Sequence, residues 1–301
     1  MARASLTRFA LLSIVAACLT IALKVAAWKL TGSVGLLSDA LESLVNLFTA
    51  IVALVMIVIA ERPADEGHPF GHGKAEYFAS GFEGALILFA AGGIAMAAWQ
   101  RVAVPQPLMH LDLGGVLSGV AAIINALVAW VLIRVGRRHR SMTLEADGRH
   151  LLSDVVTTLG ILIALLSIHF TGWLWLDPLI AGLTAVQVLW SGTVLIHSSI
   201  HGLLDRALPR GERVKIISVL ERYAQSGLQF HDLRTRSSGR HRFVNVHLLV
   251  PGHWTVQLAH DWSEILERDI RAVVGDVEIT THIEPVEDAA SFDHETLASN
   301  T

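Results

Sequence analysis

Residues 36–60 read LLSDALESLVNLFTAIVALVMIVIA, and residues 145–168 read EADGRHLLSDVVTTLGILIALLSI. Both runs are greasy enough to cross a membrane. Each nevertheless carries a polar pair spaced four apart: Glu42 with Asn46, and His150 with Asp154. On a helix, residues four apart face the same way, one turn from each other. Ionisable groups at bilayer depth are costly, so by default they mark a substrate or ion path. Two such pairs on facing helices offer a carboxylate, an amide oxygen, an imidazole nitrogen and a second carboxylate.

The rest of the chain agrees with a membrane setting. It has 301 residues, 52% of them hydrophobic and only 17% charged. Its mean hydropathy is +0.52. This is the profile of a membrane protein carrying a soluble portion. The net charge of -4 gives no basic field to suggest nucleic acid. The single cysteine, Cys18, excludes an intramolecular disulfide and any multi-cysteine zinc site.

Six apolar stretches of membrane-spanning length are legible, near residues 9–28, 34–60, 78–101, 113–135, 143–168 and 178–196. Arg3 and Arg8 before the first run also resemble a signal peptide, and IVAAC resembles a lipoprotein cleavage site at Cys18. A retained first helix is simpler, because it preserves the charge asymmetry of the loops. Arg3, Arg8, Arg62, Lys74, Arg134, Arg137, Arg138 and Arg140 all fall on one side of a six-span arrangement. The positive-inside bias then places both termini in the cytoplasm of a multi-pass protein of the cell (inner) membrane.

From Asp205 the composition changes. LERYAQSGLQ (220–229) and HDWSEILERDIRAVV (260–274) have the apolar spacing of amphipathic helices. FHDLRTR, RFVNVHLLV and DVEITTHIE alternate as strands. The expected fold class is therefore an α-helical membrane protein with six transmembrane helices, followed by a small cytoplasmic α+β domain. The expected domains are residues 1–204, residues 205–287 in the order helix–strand–strand–helix–strand, and a disordered tail over 288–301.

The four polar residues of the membrane runs suit a divalent cation bound by mixed nitrogen and oxygen ligands. Two carboxylates leave such a site near neutral when loaded. Emptied, it takes up protons, because a carboxylate in low dielectric favours its neutral form. Metal and protons thus compete for one site, which is the physical basis of metal/proton exchange. The alternative is hydrogen bonding between helices. Asp39 and Asp147 each lie three residues before a pair member. They read as cation attractors at an entrance, as groups orienting the ligands, or as solvated helix-end charges.

Two further groups contain metal-ligand chemistry. Asp65, His68 and His72 fall within ERPADEGHPFGHGKAEY, where proline and glycine preclude a long helix. His231, His247, His260 and His282 are spread over the soluble portion, with Glu284 on the same strand face as His282. Spacing alone leaves both groups open between metal sites and ordinary polar surface. Glu83, inside the third span, has no assignment.

The residues resemble the cation diffusion facilitator family, of the bacterial zinc and ferrous-iron efflux type. The resemblance is carried by GSVGLLSDALESLVN, RPADEGHPFGHGKAE, HLLSD, LLDRALP, HDLRTRSSGRHRFVNVHL and THIEP, and it runs to about Val286. It implies a non-enzymatic homodimer that exports divalent cations from the cytoplasm, driven by inward proton movement, with a metallochaperone-like tail. It implies a transport site at Glu42, Asn46, His150 and Asp154, and a loop site at Asp65, His68 and His72. It further implies a cytoplasmic cluster at His231, His247, His260, His282 and Glu284, and an interlock between Lys74 and Asp205. Zinc pumps of this type usually carry aspartates where Glu42, Asn46 and Glu284 stand. The longer Glu42 reshapes the site, and the uncharged Asn46 removes one proton acceptor. An oxygen-rich set with one nitrogen leaves Zn²⁺, Fe²⁺ and Mn²⁺ as candidate ions, with Cd²⁺ beside them. A non-transporting metal sensor and an intramembrane metalloenzyme are the rival classes, though no HExxH-like motif is present.

Overall fold

A computed structural model describes residues 2–139, 142–224 and 228–292. Six long helices come first: α1 (Ala2–Thr31), α2 (Val34–Ala60), α3 (Ala75–Ala103), α4 (Leu111–His139), α5 (Met142–Thr171) and α6 (Leu176–Leu203). Each contains a segment long and apolar enough to cross a membrane. The expected six-helix membrane architecture followed by an α+β domain is what the structure has. By internal contacts the chain divides into two compact units, Met1–Val55 with Ala79–His197, and Met56–Phe78 with Ser198–Thr301.

The first unit is a helix bundle whose buried residues are mostly small. Ala16 of α1, Val128, Ala129 and Leu132 of α4, and Leu151 of α5 form one cluster. Ala27 of α1 and Leu36 of α2 meet Ile161, Leu165 and Ile168 of α5 in a second. Val34 of α2, Ile94 and Ala98 of α3, and Ala181 and Ala185 of α6 form a third. So α2 joins the α1/α5 packing to the α3/α6 packing. Small residues let membrane helices approach closely without any hydrophobic drive between them. Gly84 and Gly192 are one example: a Cβ on Gly192 would stand 3.1 Å from the Gly84 carbonyl oxygen, and one on Gly84 3.0 Å from that of Gly192.

Polar bonds fix the helix ends. Asp177, at the start of α6, is buried at the N-terminus of α2. It accepts from Ser33 Oγ at 2.5 Å, Val34 N at 2.9 Å and Gly35 N at 3.1 Å. A carboxylate there satisfies orphan amides and complements the helix dipole.

In the second unit, α7 (Arg210–Ala224), β1 (Gln229–Ser238), β2 (His241–Val250), α8 (Val256–Val274) and β3 (Glu278–Pro285) follow the expected order. The first helix begins ten residues before the expected stretch and has ended by Ala224, while Gln229 already belongs to β1. β2 is central, antiparallel to β1 and parallel to β3. The parallel pairing requires a crossover, which α8 supplies. Thr255 caps α8 through Leu258 N, and Gly275, at φ 91°, ends it. One sheet face and both helices enclose Ile216, Leu220, Val244, Val246, Leu248, Leu266 and Ile270. Ala289–Phe292 form a 3-10 turn, held by Ser291 Oγ donating to the Pro285 carbonyl at 2.8 Å. This turn lies at the start of the expected tail over 288–301, of which residues 293–301 lie outside the described residues.

Replacing Gly192 by Val forces α3 and α6 apart. Overpacking of this kind costs about 1–3 kcal/mol, so Gly192→Val should lower the unfolding temperature in detergent. An unchanged melting curve would show that the close approach is dispensable.

Candidate metal sites

On α2, Asp39, Glu42, Ser43 and Asn46 follow one another at helical spacing; on α5, Asp147, His150, Asp154 and Thr158 do the same. Glu42, Asn46 and Asp147 are half-buried, Asp154 is buried, and His150 is exposed in the isolated chain. Glu42 lies within electrostatic reach of both Asp154 and His150. Glu83 of α3 is within reach of His150 as well, which places this unassigned carboxylate in the same neighbourhood. Glu42, His150 and Asp154 do not, however, gather their ligating atoms within 4.8 Å of one another, as two other groups among the described residues do. The pairs share a region without enclosing a point.

Asp39 is not a solvated helix-end charge. It is 2% exposed, and Lys24 Nζ of α1 donates to its Oδ1 at 2.7 Å and to Ser43 Oγ at 2.9 Å. Thr158 Oγ1 lies 3.2 and 3.1 Å from the two Asp39 oxygens. Lys24 escaped sequence reasoning although it is the charged residue of the first apolar run. The rule that singled out Glu42 and Asp154 applies to it equally.

The loop before α3 folds Asp65, His68 and His72 into one of the two gathered groups. His68 N donates to Asp65 Oδ1 at 2.7 Å. His72 Nε2 lies 3.5 Å from Asp65 Oδ2, and the two histidine rings are 4.4 Å apart. The His68 amide is the main reason that the Asp65 carboxyl is held below the usual aspartate range; contact with the His68 ring and the charges of both histidines add to it. Gly71, at φ 77°, makes the turn that returns His72 to Asp65. His72 Nδ1 is buried with no hydrogen-bond partner among the described residues. A buried ring nitrogen left so is unusual and fits a missing ligand.

Sheet register makes the other gathered group, His231, His247 and Glu284. His231 pairs with His247 across β1/β2, and His247 with His282 across β2/β3. Three imidazoles therefore stand in a row, with ring centroids 4.9 Å apart at each step. Glu284, two residues beyond His282, shares its face. Its carboxylate lies 2.8 Å from His231 Nε2, 3.3 Å from His247 Nδ1 and 3.4 Å from His282 Nε2. Burial pushes the Glu284 carboxyl up, but the His231 hydrogen bond and the charges of the three histidines outweigh it and hold the group low. His231 Nδ1 is buried without a partner among the described residues. His260 sits exposed on α8 and is not one of the gathered residues. Asp232, also outside the gathered group, approaches its edge. A bulge in β1, where Asp232 takes φ 47°, brings its carboxylate to 3.7 Å from His247 Nε2. No spacing rule would have found a bulged residue.

Lys74 and Asp205 form an ion pair at 3.0 Å. Lys74 also donates to the Leu203 carbonyl at 3.2 Å, and Arg236 Nη1 donates to Asp205 Oδ1 at 3.2 Å. The Arg236 guanidinium lies over the rings of Phe70 and Phe243 at 4.8 and 4.3 Å. The loop before α3, the end of α6 and the β1/β2 hairpin are thus tied through one arginine. Burial would raise the Asp205 carboxyl, but hydrogen bonds from Lys74 and Arg236 and their charges override it and hold the group low. A depressed folded-state value means that the stabilisation is complete above the unfolded value, about 3.9 for Asp. It is lost as pH falls through the folded value. Melting curves taken from pH 7 down to pH 3 should therefore separate wild type from Asp205→Asn at neutral pH and converge in acid. Parallel curves would mean that the pair contributes no pH-dependent stability.

Residues 10–204 match the cation efflux transmembrane domain, and residues 208–286 match the cytoplasmic domain of cation efflux proteins. An uncharacterized transporter of Synechocystis is 49% identical over 286 residues, covering 95% of this chain and 92% of its own. The cation-efflux pump FieF of Cronobacter sakazakii is 34% identical over 281 residues, covering 93% and 92%. FieF of Shewanella oneidensis is 31% identical over 275 residues, covering 91% and 92%. With the six membrane helices and the α+β domain each matched along nearly all their length, the chain belongs to the cation efflux (cation diffusion facilitator) family, whose members are metal-transporting membrane proteins and not enzymes.

Proposed function

We propose that the chain exports divalent transition-metal ions from the cytoplasm across the cell membrane, in exchange for protons. The ion binds between α2 and α5, on Glu42, Asn46, His150 and Asp154. The observation that carries this reading is the shared neighbourhood of Glu42, His150 and Asp154 inside a helix bundle. Two carboxylates neutralise a 2+ ion, and the same groups accept protons when the ion leaves. Rocking of the helices then exposes the site alternately to the two sides. The spread of the ligands in the described arrangement requires α2 and α5 to close on the ion.

Asp65, His68 and His72 hold an ion at the loop. His231, His247, His282 and Glu284 hold one or more in the tail, with His260 and Asp232 at the margin. The buried, unpartnered nitrogens of His72 and His231 support both assignments. The protein works as a homodimer in the inner membrane with both termini cytoplasmic, the tail sensing cytoplasmic metal and tightening the dimer. Lys74 and Asp205, paired at 3.0 Å, form a charge interlock near the membrane surface. The harder ligand set at α2 and α5 admits Fe²⁺ and Mn²⁺ alongside Zn²⁺ and Cd²⁺.

Flux of Zn²⁺, Fe²⁺, Mn²⁺ and Cd²⁺ into proteoliposomes across a pH gradient tests the reading. Wild type should move Fe²⁺ or Mn²⁺ at rates comparable to Zn²⁺, and Asp154→Ala should move none of the four. Persistent flux in Asp154→Ala would overturn the site, and a large excess of zinc flux would overturn the metal preference.

A further inference from the structure

Lys24 is 0% exposed and lies within the membrane-spanning part of α1. Its ammonium reaches Asp39 at 2.7 Å and Ser43, the neighbour of Glu42, at 2.9 Å. On the other side of Asp39, Thr158 lies 3.2 and 3.1 Å from the carboxylate oxygens and 2.8 Å from the Asp154 carbonyl. The single Thr158 proton is thus shared between a carboxylate and the backbone of a proposed ligand. Both Glu42 and Asp154 lie within electrostatic reach of Lys24 and of Asp39.

The charges can be counted. Glu42, Asp154 and Asp39 would place three negative charges in one region of the bundle, one more than a divalent ion cancels. Lys24 removes the third. We infer that Lys24 is a resident counter-cation of the transport site. By occupying Asp39 it keeps that carboxylate out of the ligand set and fixes the capacity at one divalent ion. It also holds the ion loosely enough to leave. The inference rests on the transport-site reading above. It makes Lys24 a positioning residue, acting through Asp39 and the local field.

Opposite charge changes should therefore move affinity in opposite directions. Lys24→Met frees Asp39 to attract the ion. The apparent KM for Zn²⁺ or Mn²⁺ flux should fall by about tenfold or more, and kcat should fall with it because release slows. Asp39→Asn leaves Lys24 as an uncancelled cation, and KM should rise by a comparable factor. The double variant Lys24→Met/Asp39→Asn should return KM toward wild type. A merely structural pair would lower the amount of folded protein without this reversal of sign. If Lys24→Met does not fold, the rise of KM in Asp39→Asn and its return in the double variant still decide the matter. Equal KM values in all folded variants, or shifts in the same direction, would overturn the inference. Asp154→Ala, assayed alongside, separates the two claims: flux retained there refutes the transport site itself, whereas flux lost there with unmoved KM in the Lys24 and Asp39 variants refutes only the counter-cation.

Discussion

A charge inside a membrane-spanning bundle has to be cancelled where it sits, and the arrangement of α1, α2, α5 and α6 follows from that demand. Lys24 and Asp39 cancel each other at 2.7 Å. Asp177 is answered by the N-terminal amides of α2. Breaking a buried pair by removing one partner typically costs about 3–5 kcal/mol, because the other charge stays behind. α2 is the helix on which both solutions converge. Glu42 and Asp154 differ from these groups. Among the described residues they stand near the same pair with no fixed cation of their own, the condition expected of residues whose partner comes and goes.

The second unit meets a different constraint. Its histidines become a cluster through strand register: the pairing of His231 with His247 and of His247 with His282 aligns three rings that are far apart in sequence. A one-residue slip of β1 or β3 would turn the slipped residue to the other sheet face. The β2 core residues Val244, Val246 and Leu248, buried on the opposite face, hold that register. Fold stability and the geometry of the cluster are therefore set by the same alternation.

Much of this was legible in the residues. The membrane helices followed from apolar runs, and the order of the α+β elements from periodicity. The spaced pairs on α2 and α5 could be named from spacing, whereas the grouping at Asp65, His68 and His72 was a candidate that spacing left open and the family resemblance singled out. What could not be read was contact across helices and departures from regularity. Lys24 sits fifteen residues from Asp39 on another helix, so no local rule joins them. Asp232 reaches His247 only because β1 bulges. His260, which the resemblance groups with the other histidines, stands on α8, where no strand register aligns it with them. The stretch LERYAQSGLQ suggested one helix because leucine spacing is ambiguous over ten residues, whereas its end already belongs to the sheet edge.

The central claim is that one divalent ion is held between α2 and α5 by oxygen-rich ligands with a single imidazole. X-ray absorption of metal-loaded protein measures this directly, provided the loop and tail clusters are disabled by Asp65→Ala, His72→Ala, His231→Ala and His247→Ala. The account predicts one bound Zn²⁺ or Fe²⁺ per chain with one nitrogen and otherwise oxygen neighbours. A first shell with two or more imidazoles, or no bound ion at all, would contradict it.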